Sequence, residues 1–155
     1  MGIMHIRAGK FLTEQELDEC ISFLQEQGAV QYFKTARQRL KSALITVTLT
    51  EGPNLVGMGV IKDRSPKYNE KISERSGYPL HLDMCEIGYI GVAEACRGQG
   101  LATQIVKQLL KYEERIYATT SNLHMMYIFR REGFYPQGHP WRSKEGKELT
   151  LWVKQ

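Results

Sequence analysis

Residues 97–102 read RGQGLA and join an apolar run, MCEIGYIGV (84–92), to a helical pattern, GLATQIVKQLLKYEE (100–114). The first amides of a helix have no partner within the helix and carry a partial positive charge, so they attract anions. Glycines let an anion approach these amides closely, and Arg97 adds a cation beside them. The junction therefore predicts a phosphate site. A plain strand-to-helix turn at Gly98 and Gly100 is the alternative.

The familiar nucleotide motifs do not describe this junction. The sequence contains no GxxxxGK[ST] phosphate loop, and GQGLAT (98–103) lacks the third glycine of the dinucleotide fingerprint. No acidic residue follows a second strand at the distance that this fingerprint requires. A P-loop or Rossmann interpretation is therefore not favoured.

Cap and turn signals divide the rest of the chain into short helices and strands. TEQELDECISFLQEQG (13–28) is the clearest helix, because Thr13 and Glu16 form a capping box and Gly28 ends the apolar repeat. ALITVTLT (43–50) and NLVGMGVI (54–61) flank the turn EGPN, which predicts a hairpin. The other predicted elements are strand IMHIRAG (3–9), helix QYFKTARQRL (31–40), strand RIYATT (115–120), helix SNLHMMYIFRREGF (121–134), and strands FYPQGHPW (134–141) and ELTLWVK (148–154).

A polar segment of about 20 residues with two prolines lies between Lys62 and Asp83. We interpret it as a long loop, because loops of this length in a compact domain tend to be functional or disordered. It would serve as a lid over a substrate, as a mobile surface loop or as a dimer contact, and the sequence does not choose among these.

The composition describes one globular domain over residues 1–155. Hydrophobic residues make up 42% and charged residues 25% of the chain, and no apolar run approaches the roughly 20 residues that cross a bilayer. Cys20, Cys85 and Cys96 are far apart and show no metal-ligand spacing, which favours a reducing cytoplasm and predicts no metal site. The net charge of +4 is scattered among acidic residues, so a solvated surface is favoured over nucleic-acid binding.

The element order and two motifs together resemble the GNAT superfamily of N-acetyltransferases. Arg97, Gly100 and Ala102 fill the three defined positions of its Q/R-x-x-G-x-G/A signature. Asn122 and the pair Gly133-Phe134 match a second signature, a helix that begins with Asn and ends in Gly-Phe. The resemblance implies an α/β (α+β) GNAT fold with a single mixed, mostly antiparallel sheet of 6–7 strands. It also implies a splay between strands 4 and 5 and about four flanking helices.

The resemblance also implies acetyl-CoA as co-substrate. Its pyrophosphate would lie on the amides of the junction, and its pantetheine arm would pair with the strand before it. Asn122 would bind the pantetheine or its water, act as a helix N-cap, or do both. The cofactor-binding residues implied are Ile90, Gly91, Val92, Arg97, Gly98, Gln99, Gly100, Leu101, Ala102, Thr103, Asn122 and Phe129.

Two catalytic groups follow from the same resemblance. Glu86 occupies the position from which family members often present a carboxylate base to the acceptor amine, although an edge or solvent-facing Glu is the alternative. The amide of Val92 would polarise the thioester carbonyl. Many members carry a Tyr acid where this chain has Phe129, and Tyr127 lies two residues away on another side of the helix. A thiolate can leave without full protonation, so transfer does not require that acid.

The acceptor is specified least. In this fold the first two helices and the loop between the last two strands line its entrance. The resemblance implies an N-acetyltransferase that transfers acetyl to a primary amine of a small molecule, peptide or protein by direct attack. An acyl-CoA sensor with little or no transfer activity is the alternative, and the sequence leaves homodimer formation open. The residues nominated for acceptor binding are Tyr32, Phe33, Arg37, His139 and Trp141.

Overall fold

The computed structural model describes residues 2–28 and 33–155, and it describes the backbone but not the side chain of Phe33. The chain divides into two compact units, Met1–Asp63 with Ile87–Tyr112 (the first unit) and Arg64–Glu86 with Glu113–Gln155 (the second unit). The strands are β1 Ile3–Arg7, β2 Ile45–Glu51, β3 Asn54–Ile61, β4 Cys85–Val92, β5 Ile116–Thr120, β6 Tyr135–Arg142 and β7 Glu148–Lys154. The helices are α1 Glu14–Glu26, α2 Phe33–Lys41, α3 Pro66–Ser76, α4 Leu101–Leu109 and α5 Leu123–Arg131.

The first unit is an antiparallel set of β1, β2, β3 and most of β4 with helices α1, α2 and α4. The capping box predicted at the start of α1 is present, and the predicted hairpin is formed by β2 and β3. Leu17, Ile21 and Leu24 of α1 are fully buried against Met58 and Val60 of β3. Burial of this apolar stripe holds α1 on the sheet.

The second unit contains the start of β4, then β5, β7 and β6, with helices α3 and α5. β4 and β5 run parallel, while β7 pairs antiparallel with both β5 and β6. Ile72 of α3 packs in a buried cluster with Tyr117 of β5 and Leu151 of β7. This cluster attaches α3 to the sheet.

Helix α3 corrects our interpretation of residues 62–83 as a loop. Ser65 is the N-cap, since its side chain accepts a hydrogen bond from the amide of Tyr68, and Pro66 stands in the first turn. Gly77 ends the helix in the left-handed conformation. The segment has few apolar residues, and its buried face includes Asn69 and Ser76 beside Ile72, so its hydrophobic period is weak. The docked helix also removes the reason for treating the whole segment as a mobile lid.

The strand order β1-β2-β3-β4-β5-β7-β6 confirms the expected mixed, mostly antiparallel sheet of seven strands. β4 pairs with β5 only through Cys85 and Glu86, which is the expected splay after the start of β4. The described residues contain five α-helices where about four were expected, and α3 is the unexpected one. β4 also carries an irregularity opposite β3, where Tyr89 adopts a φ of 50°. Extra residues of this kind bend and twist a strand.

Candidate functional site

The carboxyl end of β4 leaves one main-chain edge open in the first unit. The amide of Ala93 donates to the Val56 carbonyl of β3 at 2.8 Å. The N–H and C=O of one strand residue point to the same edge and those of the next residue to the opposite edge, so the amide and carbonyl of Val92 face away from β3. The Val92 carbonyl indeed accepts a hydrogen bond from Nε of Arg97 at 3.2 Å. The Val92 amide is therefore directed toward the edge where the resemblance places the thioester.

The loop after β4 presents an uncapped helix N-terminus. One turn of 3-10 helix, Glu94–Cys96, leads into the loop, where Gly98 and Gly100 have φ values of 81° and 76°. Gly100 is the N-cap of α4, and no side chain among the described residues caps it. A Cβ built on Gly98 or Gly100 meets no described atom within 4 Å. The first amides of α4 thus face open space, as an anion site requires.

The body of α4 is held firmly against β3. Ile105, Val106 and Leu109 are buried without measurable exposure. A Cβ on Gly59 of β3 would lie 2.6 Å from Cγ2 of Ile105, so only glycine permits this approach. Close packing of the helix fixes the position of its N-terminus relative to the end of β4, and an anion site gains from such preorganisation.

Arg97 has a structural partner that the sequence analysis missed. Besides its bond to Val92, Arg97 donates from Nη2 to Oε1 of Gln27 at 2.6 Å. Gln27 is the C-cap of α1, and a Cβ on Gly91 would approach Phe23 at 3.2 Å and Gln27 at 3.4 Å. The end of α1 therefore packs over β4 beside the loop. No local signal could reveal Gln27, because it is 70 positions from Arg97.

Glu86 is buried in the second unit. It pairs in parallel register with Tyr117 of β5 and is 7% exposed. Residues paired in register project on the same face, so the Glu86 side chain shares the face of the buried Tyr117 ring. This placement excludes the solvent-facing alternative. It is compatible with the predicted base, whose role the structure alone does not test.

The second motif helix is capped at its predicted start and buried at Phe129. Oδ1 of Asn122 accepts a hydrogen bond from the amide of Met125 at 3.0 Å, so Asn122 acts as an N-cap of α5 and is exposed. Phe129 is 3% exposed and packs on Phe134 with ring centroids 4.9 Å apart. Tyr127 is exposed, as expected for a residue on a different side of the helix. A pantetheine contact of Asn122 stays a prediction.

The nominated acceptor residues of the first unit are only partly described. Tyr32 lies outside the described residues, and Phe33 begins α2 without a described side chain. Arg37 of α2 forms ion pairs with Glu14 and Asp18 of α1. These pairs hold α1 and α2 together, which gives the arginine a structural role that the sequence analysis did not anticipate.

The nominated acceptor residues of the second unit lie next to α3. A Cβ on Gly77 would lie 3.1 Å from Nε2 of His139, so the imidazole rests on the end of α3. Trp141 packs against the cluster that contains Ile72 of α3. Its Nε1 is buried and has no hydrogen-bond partner among the described residues. Helix α3 therefore packs beside both His139 and Trp141.

A family model described as the acetyltransferase (GNAT) family matches residues 11–134. The chain belongs to the GNAT acetyltransferase family. GNAT proteins are acyltransferases that generally use acetyl-CoA, and the open N-terminus of α4 fits the pyrophosphate of such a co-substrate. No helix in residues 2–28 or 33–155 has the length and hydropathy of a membrane span.

Solved structures share the GNAT fold at low sequence identity. An acyl-CoA N-acyltransferase from Pseudomonas aeruginosa has a TM-score of 0.75 at 15% identity, covering 100% of both chains. Escherichia coli ElaA has a TM-score of 0.74 at 13% identity, also covering 100% of both chains. The ribosomal-protein-S18-alanine N-acetyltransferase from Escherichia coli has a TM-score of 0.69 at 14% identity, covering 98% of this chain and 93% of that one. None of the curated proteins compared with the chain matches it.

Proposed function

We propose that this GNAT protein is an acetyl-CoA-dependent N-acetyltransferase that acetylates a primary amine of a small molecule, peptide or protein. The observation that carries the proposal is the uncapped N-terminus of α4, opened by Gly98 and Gly100. An anion of several oxygens can accept from several such amides at once, which suits a pyrophosphate. Family membership supports the acyl transfer itself.

The cofactor-binding proposal keeps the residues named from the sequence. The amides of residues 98–103 would hold the pyrophosphate, with the exposed Arg97 guanidinium alongside. The main chain of Ile90, Gly91 and Val92 would bind the pantetheine arm as an added strand. The N–H and C=O of Val92 support this, since both face away from β3. Acetyl-CoA, when bound, supplies the activated acetyl thioester.

Glu86 would act as the base for direct attack. Amines are largely protonated near neutral pH, so the acceptor must lose a proton to become a nucleophile. The amine nitrogen then bonds to the acetyl carbon, and the carbon–sulfur bond breaks. Glu86 accepts the proton that the ammonium loses before the attack. The nitrogen releases a second proton to solvent as the carbon–sulfur bond breaks, and the sulfur leaves as a thiolate. The Val92 amide would stabilise the oxyanion, which forms when the nitrogen attacks the acetyl carbon and lasts until the carbon–sulfur bond breaks.

A second candidate function, binding of acyl-CoA without turnover, is favoured by the environment of Phe129. The ring occupies the position of the usual acid and is buried against Phe134. It carries no proton to donate to a leaving thiolate. Because a thiol has a pKa near ~8.5, a thiolate can depart without that proton, and we therefore rank transfer above sensing.

The chain as a whole supports two subsidiary proposals. The family match includes residues of both compact units, which supports one GNAT domain over residues 1–155. Cys20, Cys85 and Cys96 all lie in the described part of the chain and form no disulfide. Their reduced state supports a cytoplasmic location.

Thermal unfolding with acetyl-CoA and with desulfo-CoA tests the cofactor proposal. A ligand that binds only the folded state raises the Tm, by an amount that grows with the ratio of its concentration to its Kd. Absence of a shift with either compound would refute acetyl-CoA binding. An amine-acceptor screen by mass spectrometry then separates the two candidates, since a sensor would bind acetyl-CoA yet acetylate no amine.

A further inference from the structure

A solvent-open cavity of about 330 Å³ lies in the second unit, where three loop segments meet, and His81, Asp83 and Arg115 on its lining are exposed. The segments precede α3, β4 and β5, so the cavity is at the amino ends of the two parallel strands. The loop of residues 97–102, predicted to bind phosphate and called the phosphate loop below, instead follows the carboxyl end of β4. The residues that line the cavity are Arg64, His81, Asp83, Met84, Glu113 and Arg115.

The wall of the cavity formed by residues 81–84 is held by one buried side chain. Nδ2 of Asn69 donates to the carbonyls of His81, Leu82 and Met84 at 3.0, 3.0 and 2.9 Å. Its Oδ1 accepts from the hydroxyl of Tyr117 at 2.6 Å. Asn69 and Tyr117 are each 1% exposed, so water does not compete for these bonds. The wall is therefore preorganised.

The cavity contains fixed charges of both signs. Glu113 accepts from Arg64 at 3.1 Å and from the Cys85 thiol at 3.9 Å, and both bonds use Oε1. Nδ1 of His81 accepts from the amide of Asp83 at 3.2 Å, which leaves Nε2 as the ring nitrogen that can donate to a ligand.

Two further charges on the lining have no protein partner. Within residues 2–28 and 33–155, the Arg115 guanidinium and the Asp83 carboxylate form no hydrogen bond or ion pair. A ligand can thus engage one cation and one anion without breaking an existing ion pair. The two arginines and two acids of the lining balance, which disfavours a net anion or a net cation as the occupant.

We propose that this cavity is a second small-molecule site, which binds a zwitterion of amino-acid size. The ligand carboxylate would bind Arg115 and Nε2 of His81, and its ammonium would bind Asp83 and Glu113. The volume stands at the lower end of the range for ligand pockets, as expected for a small metabolite. The site is separate from the proposed transfer reaction, so either proposal can fail without the other.

Titration of the 15N-labelled protein followed by 1H–15N correlation spectra tests the proposal. The twenty common L-amino acids are added one at a time, up to about 10 mM, the range of weak small-molecule affinity. We expect at least one of them to shift the amides of residues 81–84 and 113–115 in a saturable manner. Succinate and putrescine serve as the dianion and dication, and we expect neither to saturate these signals.

Variants distinguish amino-acid binding in this cavity from nonspecific binding elsewhere on the protein surface. Arg115→Gln and Asp83→Asn should each weaken the binding by about tenfold or more, because each removes one charged hydrogen-bond partner. Lys111→Gln is the matched control, since Lys111 is exposed on the same connection but does not line the cavity. The proposal is overturned if no amino acid shifts these signals, if succinate or putrescine binds as well, or if Arg115→Gln binds like the wild type.

Discussion

Gly100→Ala tests the phosphate loop with a change of one methyl group. Gly100 has a φ of 76°, a conformation in which an L-residue places its Cβ against the backbone. The added methyl meets no described atom within 4 Å, so it causes no clash with neighbouring side chains. Its two effects are backbone strain and occupation of the open space in front of the first amides of α4.

The magnitude of each effect can be assigned separately. The left-handed conformation costs an alanine about 1–2 kcal/mol, which lowers the Tm by about 2–4 °C per kcal/mol in a chain of this size. Loss of a charged hydrogen bond to a phosphate costs about 1.5–3 kcal/mol, and 1.4 kcal/mol corresponds to tenfold in Kd. We therefore expect a modest fall in Tm and at least a tenfold rise in the Kd for coenzyme A.

Gly146→Ala is the matched control for this experiment. Gly146 has a φ of 82°, and a Cβ there also meets nothing within 4 Å, but it lies in the turn between β6 and β7. The two variants should lose similar stability in thermal unfolding. In isothermal titration with coenzyme A, only Gly100→Ala should lose affinity. Equal affinities in both variants would refute the assignment of the loop to the pyrophosphate.

Three further predictions concern catalysis, packing and pH. Glu86→Gln should lower turnover near neutral pH and change the pH–rate profile, and an unchanged profile would remove Glu86 from the base role. Tyr117→Phe leaves Oδ1 of Asn69 buried without its 2.6 Å donor and should cost about 1–3 kcal/mol in urea unfolding. Tyr78→Phe, which loses only an exposed bond, should cost less than about 0.5 kcal/mol, and equal costs would contradict this account. A main-chain N–H of the capping box lowers the pKa of Glu16 below 4.5, so its stabilising effect is present above pH 4.5 and lost as the pH falls through the lowered pKa. The difference in urea midpoint between wild type and Glu16→Gln should therefore shrink in acid, and a constant difference from neutral to acid pH would argue against this contribution.

The helix start and the hairpin that were predicted correctly are each determined by residues close together in the sequence. The capping box of α1 and the hairpin turn between β2 and β3 each depend on residues within a few positions of one another. Helix α3 has equally local ends, at Ser65 and Gly77, yet the polar composition of the segment concealed it. Its buried face is completed by Asn69, whose burial depends on carbonyls 12 to 15 positions away. A hydrophobic pattern cannot report a face that is buried through hydrogen bonds.

In the candidate site, too, some features depend on neighbouring residues and others on residues that are distant in sequence. Two glycines and a helix start within six residues predict an anion site, so the proposed cofactor side could be inferred from one stretch of sequence together with the family resemblance. The acceptor side depends on pairs that are distant in sequence. Arg37 was nominated because the first two helices line the acceptor entrance in this fold, but its guanidinium pairs with Glu14 and Asp18 of another helix.

Arg97 combines a proposed contact to the cofactor with a structural role in the protein itself. The motif has Gln or Arg at this position, and both are long and polar. A phosphate contact would give such a side chain a role only when the cofactor is bound. In the structure the guanidinium binds the Val92 carbonyl and Gln27. One side chain thus joins the end of α1, the open edge of β4 and the start of the phosphate loop. Since the N–H of the same residue is proposed to polarise the thioester, the motif arginine constrains the backbone at Val92 as well as adding positive charge beside the loop.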